Sequence, residues 1–216
     1  SLAQQGGYAL ASKGPQHDEA WLIFMDMVHE QLPTFEAKAE ALHYFPVWRT
    51  WFSLHGLCKL PWNDIIPVSN KTAKEPAKVP EHVENYCWLF EGMTGKKTKP
   101  EDLMLQSERV YNFQRLFNLR LGFGTREHDY PPYRLIGPAT LPEYAAHVDR
   151  YDSQLREVLH LDPASMTVEE KIAKIREYRE DQYEQLVDAV YKRRGWSANG
   201  IPTLETVRRL GIDFLD

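Results

Sequence analysis

From Asp18 to Leu210 the apolar residues recur every three or four positions, and no run keeps the two-residue alternation of a half-buried strand. A chain patterned in this way buries itself as packed helices, so the expected fold class is all-α, an irregular multi-helix bundle. Breakers and caps mark its divisions. Asp18 offers an N-cap to a first helix bearing Trp21, Phe24, Met25, Val28 and Leu32. Pro33-Thr34 closes it and opens a second, whose apolar face is Ala37, Ala41, Phe45, Trp48 and Phe52. Pro46 should kink this helix, because its ring removes the bond to the Leu42 carbonyl. Gly56 is placed to stop it in a left-handed conformation.

The later segments read similarly. Residues 65–79, rich in proline, lysine and alanine, are expected as an exposed surface loop within one helical domain. Pro80 suits the first turn of a helix with Val83, Tyr86, Cys87 and Phe90 on one face, which makes Cys87 a core residue without a function. Pro100 opens the most hydrophobic helix, through Leu103, Val110, Phe113, Leu116, Phe117 and Leu121, expected at the centre of the bundle. Arg109, Arg115 and Arg120 are threaded through it and need carboxylate or phosphate partners if buried. Gly122-Phe123-Gly124 ends it, and 126–138 reads as an irregular loop. Tyr144, Val148, Tyr151, Leu155 and Val158 mark one amphipathic helix. Thr167 and Glu170 form a capping box before a long charged helix that ends near Arg193-Arg194. Asn199-Gly200 is a turn, and a short helix from Thr203 to Leu210 stops at Gly211. Residues 1–17 show no amphipathic period and are expected to be irregular, ahead of a helical domain at 18–216.

Charge and cysteine usage narrow the function. Thirty-one acidic against 26 basic residues give a net charge of -5, which argues against the basic footprint of a nucleic-acid binder. No apolar run approaches the ~20 residues that span a bilayer, and no signal-peptide pattern opens the chain, so a cytoplasmic location is expected. The two cysteines, Cys58 and Cys87, make neither a disulfide framework nor a complete metal site. Any four-ligand centre must take ligands from elsewhere.

The densest aromatic stretch, Trp48 to Trp62, runs into Gly56-Leu57-Cys58-Lys59. A thiol presented just past a helix end is a sensible holder for a soft metal; a buried hydrophobic cysteine is the plain alternative. Gly-Leu-Cys-Lys followed by proline resembles the C-terminal signature of the tungsten-containing aldehyde ferredoxin oxidoreductases. Two further stretches carry the likeness. Glu108 to Arg120 followed by Gly122-Phe123, with Arg126, His128-Asp129 and Pro131-Pro132, resembles that family's Arg-rich helix and charged loop. Tyr191 to Trp196 with Asn199-Gly200-Ile201-Pro202-Thr203 resembles its Arg-Gly-Trp…Asn-Gly ending. Within the superfamily, Tyr8 to Asp18 and Arg49-Thr50-Trp51-Phe52 look most like the tungsten subunit of class II benzoyl-CoA reductases.

The resemblance implies the C-terminal helical domain of a longer oxidoreductase that holds a [4Fe-4S] cluster and a tungsten bis-pterin. The isolated fragment is expected to bind neither and to be inactive. Cys58 would be the last of four cluster thiolates. Gly56 and Leu57 would approach the pterin through backbone atoms, and Ser53 stands where the family has a pterin-bonding aspartate, so it brings a hydroxyl without the charge. Lys59 and His55 flank the cluster position and are read as tuning it or as solvated. His17 falls roughly where the family keeps a histidine near the metal, suited to donating a proton to substrate oxygen. The implied partners are the upstream domains, ferredoxin or an electron-transfer subunit, and an aldehyde or, in the subfamily, an aromatic acyl-CoA. The rival from another class is a non-catalytic helical domain whose aromatic patch binds a protein.

Overall fold

A computed structural model describes residues 1–15, 22–59, 72–78 and 81–215, the side chains of His82 and Leu215 excepted. The expected all-α class is what forms. Helices α1 (Leu2–Ala9), α2 (Phe35–Leu54), α3 (Glu81–Thr94), α4 (Pro100–Arg120), α5 (Tyr133–Ile136), α6 (Leu141–Ala145), α7 (Val148–Glu157), α8 (Val168–Arg194) and α9 (Leu204–Leu210) follow one another. The described residues contain no strand, only one isolated antiparallel bridge between Trp196 and Pro202. Two compact units result, 1–130 with 186–216, and 131–185.

In the first unit, α2 is the organising helix. Thr34 caps it by accepting the Ala37 N–H at 3.1 Å. The helix continues through Pro46, whose missing N–H leaves the Leu42 carbonyl without its intrahelical donor. Arg194, from the far end of α8, fills that gap: its Nη2 donates to Leu42 O at 3.1 Å inside the core. Proline and arginine are thus two halves of one solution. At the other end Gly56 turns left-handed (φ 68°), and the Leu57 N–H reaches back to Phe52 O at 2.9 Å, closing a Schellman motif. Trp48, Trp51 and Phe52 pack against Val83, Tyr86 and Cys87 of α3 and Leu103 of α4, an aromatic core with Leu57 on its edge. Cys87 is buried there as expected, and that burial pushes its thiol pKa up.

Several local expectations are corrected. Residues 1–17 are not irregular throughout, because Leu2–Ala9 is helical; Gly6 lets α1 approach α2, where a Cβ would lie 2.7 Å from Leu42 Cδ1. The helix expected from Asp18 to Leu32 shrinks, among the described residues, to one π-helical turn at Phe24–Val28, whose Asp26 is tied to Ser1 Oγ and to Lys38 at 2.7 Å. The Asp18 cap and Trp21 lie outside the described residues. In the 65–79 loop, Pro76 and Ala77 are buried in a 3₁₀ turn rather than exposed. Helix α4 is not enclosed: Phe117 is 54% exposed, and Phe113, Leu121 and Phe123 are exposed with it.

The second unit is built on tyrosines. Tyr144 and Tyr151 stack at 5.2 Å over Leu155 and Ile175. The single helix expected across Tyr144 and Val158 breaks at Ala146-His147 into α6 and α7, leaving Val148 and Val158 exposed. The Thr167–Glu170 capping box forms as read, the Thr167 N–H bonding Glu170 Oε2 at 2.8 Å and the Glu170 N–H returning to Thr167 Oγ1 at 3.3 Å. Arg176 lies on the Tyr133 ring, 3.4 Å from its centroid, and its Nη1 donates to the Tyr133 carbonyl at 3.0 Å.

Candidate functional site

The exposed end of α2 gathers most of the residues singled out from the sequence. Ser53, Gly56 and Cys58 are exposed in succession, while Leu57 between them is half-buried against the aromatic core. The Cys58 thiol is therefore on the surface and Cys87 is not. Both neighbours of Cys58 are anchored. Leu57 is held by its bond to Phe52 O, and the Lys59 carbonyl accepts from Arg49 Nη2 at 2.8 Å in a buried position. Arg49 is 2% exposed and lies over the rings of Phe52 and Phe45, at 5.1 and 5.6 Å from their centroids. Lys59 is 5% exposed, so its reading as a solvated surface lysine is overturned. The chain turns inward directly after the thiol. His55 is likewise engaged: its ring stacks on Trp51 at 4.1 Å, and its Nδ1 faces Trp51 O at 3.0 Å.

Taken alone, this end offers one cysteine sulfur. Among the described residues no group of three or more histidine, cysteine, aspartate or glutamate side chains is placed to hold a metal ion. One exposed sulfur on a backbone pinned on both sides fits a single corner of a metal cage whose other ligands come from other polypeptide. The Trp51 indole N–H, buried and without a hydrogen-bond partner among the described residues, is a spare donor in the same aromatic core.

The other two resemblance motifs meet elsewhere, in one buried knot. Arg115, 2% exposed, donates from Nη1 and Nη2 to the two carboxylate oxygens of Asp129 at 2.8 and 2.5 Å, and from Nε to Gly200 O at 2.9 Å. Tyr191 donates its hydroxyl to the same Asp129, and burial together with that carboxylate pushes the phenol pKa well up. Trp196 has two guanidinium groups against its ring, Arg115 at 4.7 Å and Arg194 at 5.0 Å from the centroid, and its indole N–H donates to Asn112 Oδ1 at 2.8 Å. Of the carboxylate or phosphate partners expected for the Arg-rich helix, Arg115 thus takes a carboxylate from the charged loop, within this chain. Arg109 donates from Nε to Leu210 O at 2.8 Å instead.

His128 is exposed on its loop, with its Nδ1 at 2.8 Å from Thr125 Oγ1 and its ring against Phe123. His17 lies outside the described residues. Arg49 is the site residue that sequence reasoning missed. Its only signal was a charge at a position where the helix's apolar face should continue, between Phe45 and Phe52.

A family model described as aldehyde ferredoxin oxidoreductase, domains 2 & 3, matches residues 1–212. A search of curated proteins gives no match. With the family match running over nearly the whole chain and the all-α fold in agreement, the protein belongs to the aldehyde ferredoxin oxidoreductase family and is the C-terminal, helical part of an enzyme of that type.

Proposed function

We propose that this chain completes a tungsten–pterin, iron–sulfur oxidoreductase, with Cys58 as one thiolate of a [4Fe-4S] cluster. The observation that carries the reading is the exposed Cys58 sulfur on an anchored helix end, in a chain matched by the family model from residue 1 to 212. When bound, the tungsten pterin supplies two-electron oxidation of an aldehyde to a carboxylic acid, and the cluster carries the electrons singly to ferredoxin. The chain's own residues do quieter work. Cys58 Sγ would ligate iron. The exposed Ser53 hydroxyl would accept a hydrogen bond from the pterin where the family pattern has a carboxylate, and Gly56, lacking a Cβ, would admit the pterin against its backbone next to Leu57. Lys59, buried, acts by anchoring the turn. His17 is assigned proton transfer at the substrate oxygen. The upstream domains of the same enzyme cover the exposed helix end. No helix of the described residues is long and apolar enough to cross a membrane, and we assign the enzyme to the cytoplasm.

The test is the full-length enzyme with Cys58→Ser. Its iron content and visible charge-transfer absorption should fall sharply while the helical circular dichroism is unchanged. Full iron content in that variant would overturn the reading and favour a protein-binding helical domain. Substrate assays should pair short aldehydes with benzoyl-CoA, because the wording around Arg49-Thr50-Trp51-Phe52 makes an aromatic acyl-CoA the second substrate class.

A further inference from the structure

We infer that Arg49 is a positioning residue for the Cys58 thiolate and the fixed cation that sets the electrostatics of the group it ligates. The inference rests on Cys58 being a metal ligand and goes beyond it by naming what holds that ligand.

Cys58 is exposed, yet the residue after it is 5% exposed and has its carbonyl held by a buried guanidinium at 2.8 Å. The residue before it is tied by its N–H to Phe52 O at 2.9 Å. A cysteine between two such anchors keeps its Cα–Cβ direction while only its own rotamer remains free. A metal cage needs that, because a ligand misplaced by about 1 Å loses much of its bond.

Arginine suits this task for a stated reason. A planar guanidinium lying over the Phe52 and Phe45 rings is fixed in orientation, and ring faces favour the cation. Lysine at the same position would bring the charge but neither the flat stacking surface nor the fixed donor direction. Gln would bring a donor without the charge.

The charge has its own consequence. The path from the guanidinium carbon across the 2.8 Å hydrogen bond and along the backbone to Cys58 Sγ sums to about 15 Å, so the separation is at most that. Iron–sulfur potentials follow net charge, hydrogen bonding and exposure. A permanent buried cation favours the state with one more electron, so it raises the reduction potential.

The experiment uses the full-length enzyme as isolated, with Arg49→Lys and Arg49→Gln beside Cys58→Ser. Readouts are the cluster potential by redox titration, the rate of iron loss to a chelator, and amide hydrogen exchange at residues 57–59. Both Arg49 variants should lose iron at least tenfold faster and exchange faster at 57–59. Only Arg49→Gln should shift the potential negative, with Arg49→Lys close to the parent. Unchanged iron-loss rates in both, or a potential that moves equally in both, would overturn the inference. If Arg49→Gln fails to fold, the Arg49→Lys exchange and iron-loss rates decide alone, and unchanged rates reject it. Cys58→Ser keeps the two ideas apart. If it retains full iron, the ligand assignment has failed; if it loses iron while the Arg49 variants behave as the parent, only the role of Arg49 has.

Discussion

The pairing of Pro46 with Arg194 gives the sharpest test of how this fold is held. Removing Arg194 by Arg194→Met deletes the donor to Leu42 O, and a buried carbonyl without a partner costs about 1–3 kcal/mol. The same change also removes the stacking of Arg194 on Tyr111 and Trp196, and it relieves the burial of Nε and Nη1, which have no hydrogen-bond partner among the described residues. These opposing contributions make the single-variant stability uninformative. A double-mutant cycle isolates the carbonyl. Pro46→Ala restores an N–H four residues after Leu42, which matters little while Arg194 is present and much once it is gone. We expect Pro46→Ala to recover about 1–2 kcal/mol more in the Arg194→Met background than in the parent, well above the ~0.3–0.5 kcal/mol by which independent sites deviate from additivity. Urea unfolding followed by circular dichroism, with constant m-values, measures it. Additivity within about 0.5 kcal/mol would refute the compensation.

Gly56→Ala should destabilise by roughly 1–2 kcal/mol for its left-handed backbone alone, since among the described residues nothing beyond its chain neighbours lies within 4 Å of the new Cβ; thermal unfolding reads this, and Gly56→Asn should cost less. Gly195→Ala adds to the same backbone cost a collision with Thr206 Oγ1, so Gly195→Ala/Thr206→Ala should unfold at a higher temperature than Gly195→Ala, and failure of that recovery rejects the clash. Asp129→Asn should cost about 3–5 kcal/mol by stripping the buried Arg115 of its counter-charge, measured by urea unfolding. Burial, reinforced by Arg194 and opposed by Glu40 and Glu108, lowers the His43 pKa from 6.5 to about 4. The unfolded chain then binds the proton first, so stability is whole above pH 6.5 and falls as pH drops toward 4. Between pH 7 and 5 this amounts to about 2 kcal/mol, and His43→Gln should flatten that part of the profile.

Where a feature is decided by a few adjacent residues, it was legible in the sequence. Pro33-Thr34 as the opening of α2, Gly56 as a left-handed stop, the Thr167–Glu170 box and the Gly211 end all depend on local backbone needs that the residue type itself meets. What escaped reading depends on distant partners. Helix α1 carries Gly6-Gly7, which look like breakers until Leu42 and Leu186 are seen crowding the Gly6 position. The helical spacing of Trp21 to Leu32 is real, yet the described part of it makes a single π-turn with Phe24, Met27 and Val28 exposed, because periodicity fixes a face and not a length. The Arg115 partner was legible only as a carboxylate or a phosphate, and illegible as Asp129, since pairing across a turn leaves no mark on spacing. At the candidate site, the thiol could be singled out by its motif; the Arg49 anchor could not, because a buried arginine and a surface arginine are spelled alike.

The tryptophan whose ring meets both Arg115 and Arg194 changes what a sequence likeness in this family is worth. Its surroundings draw together the residues by which a relative is most easily spotted, and all of them serve to lock helices to one another. A descendant that had abandoned catalysis would keep this fastening intact to stay folded. Kinship judged on those letters therefore certifies shape, and evidence of chemistry has to be sought at the cysteine turn.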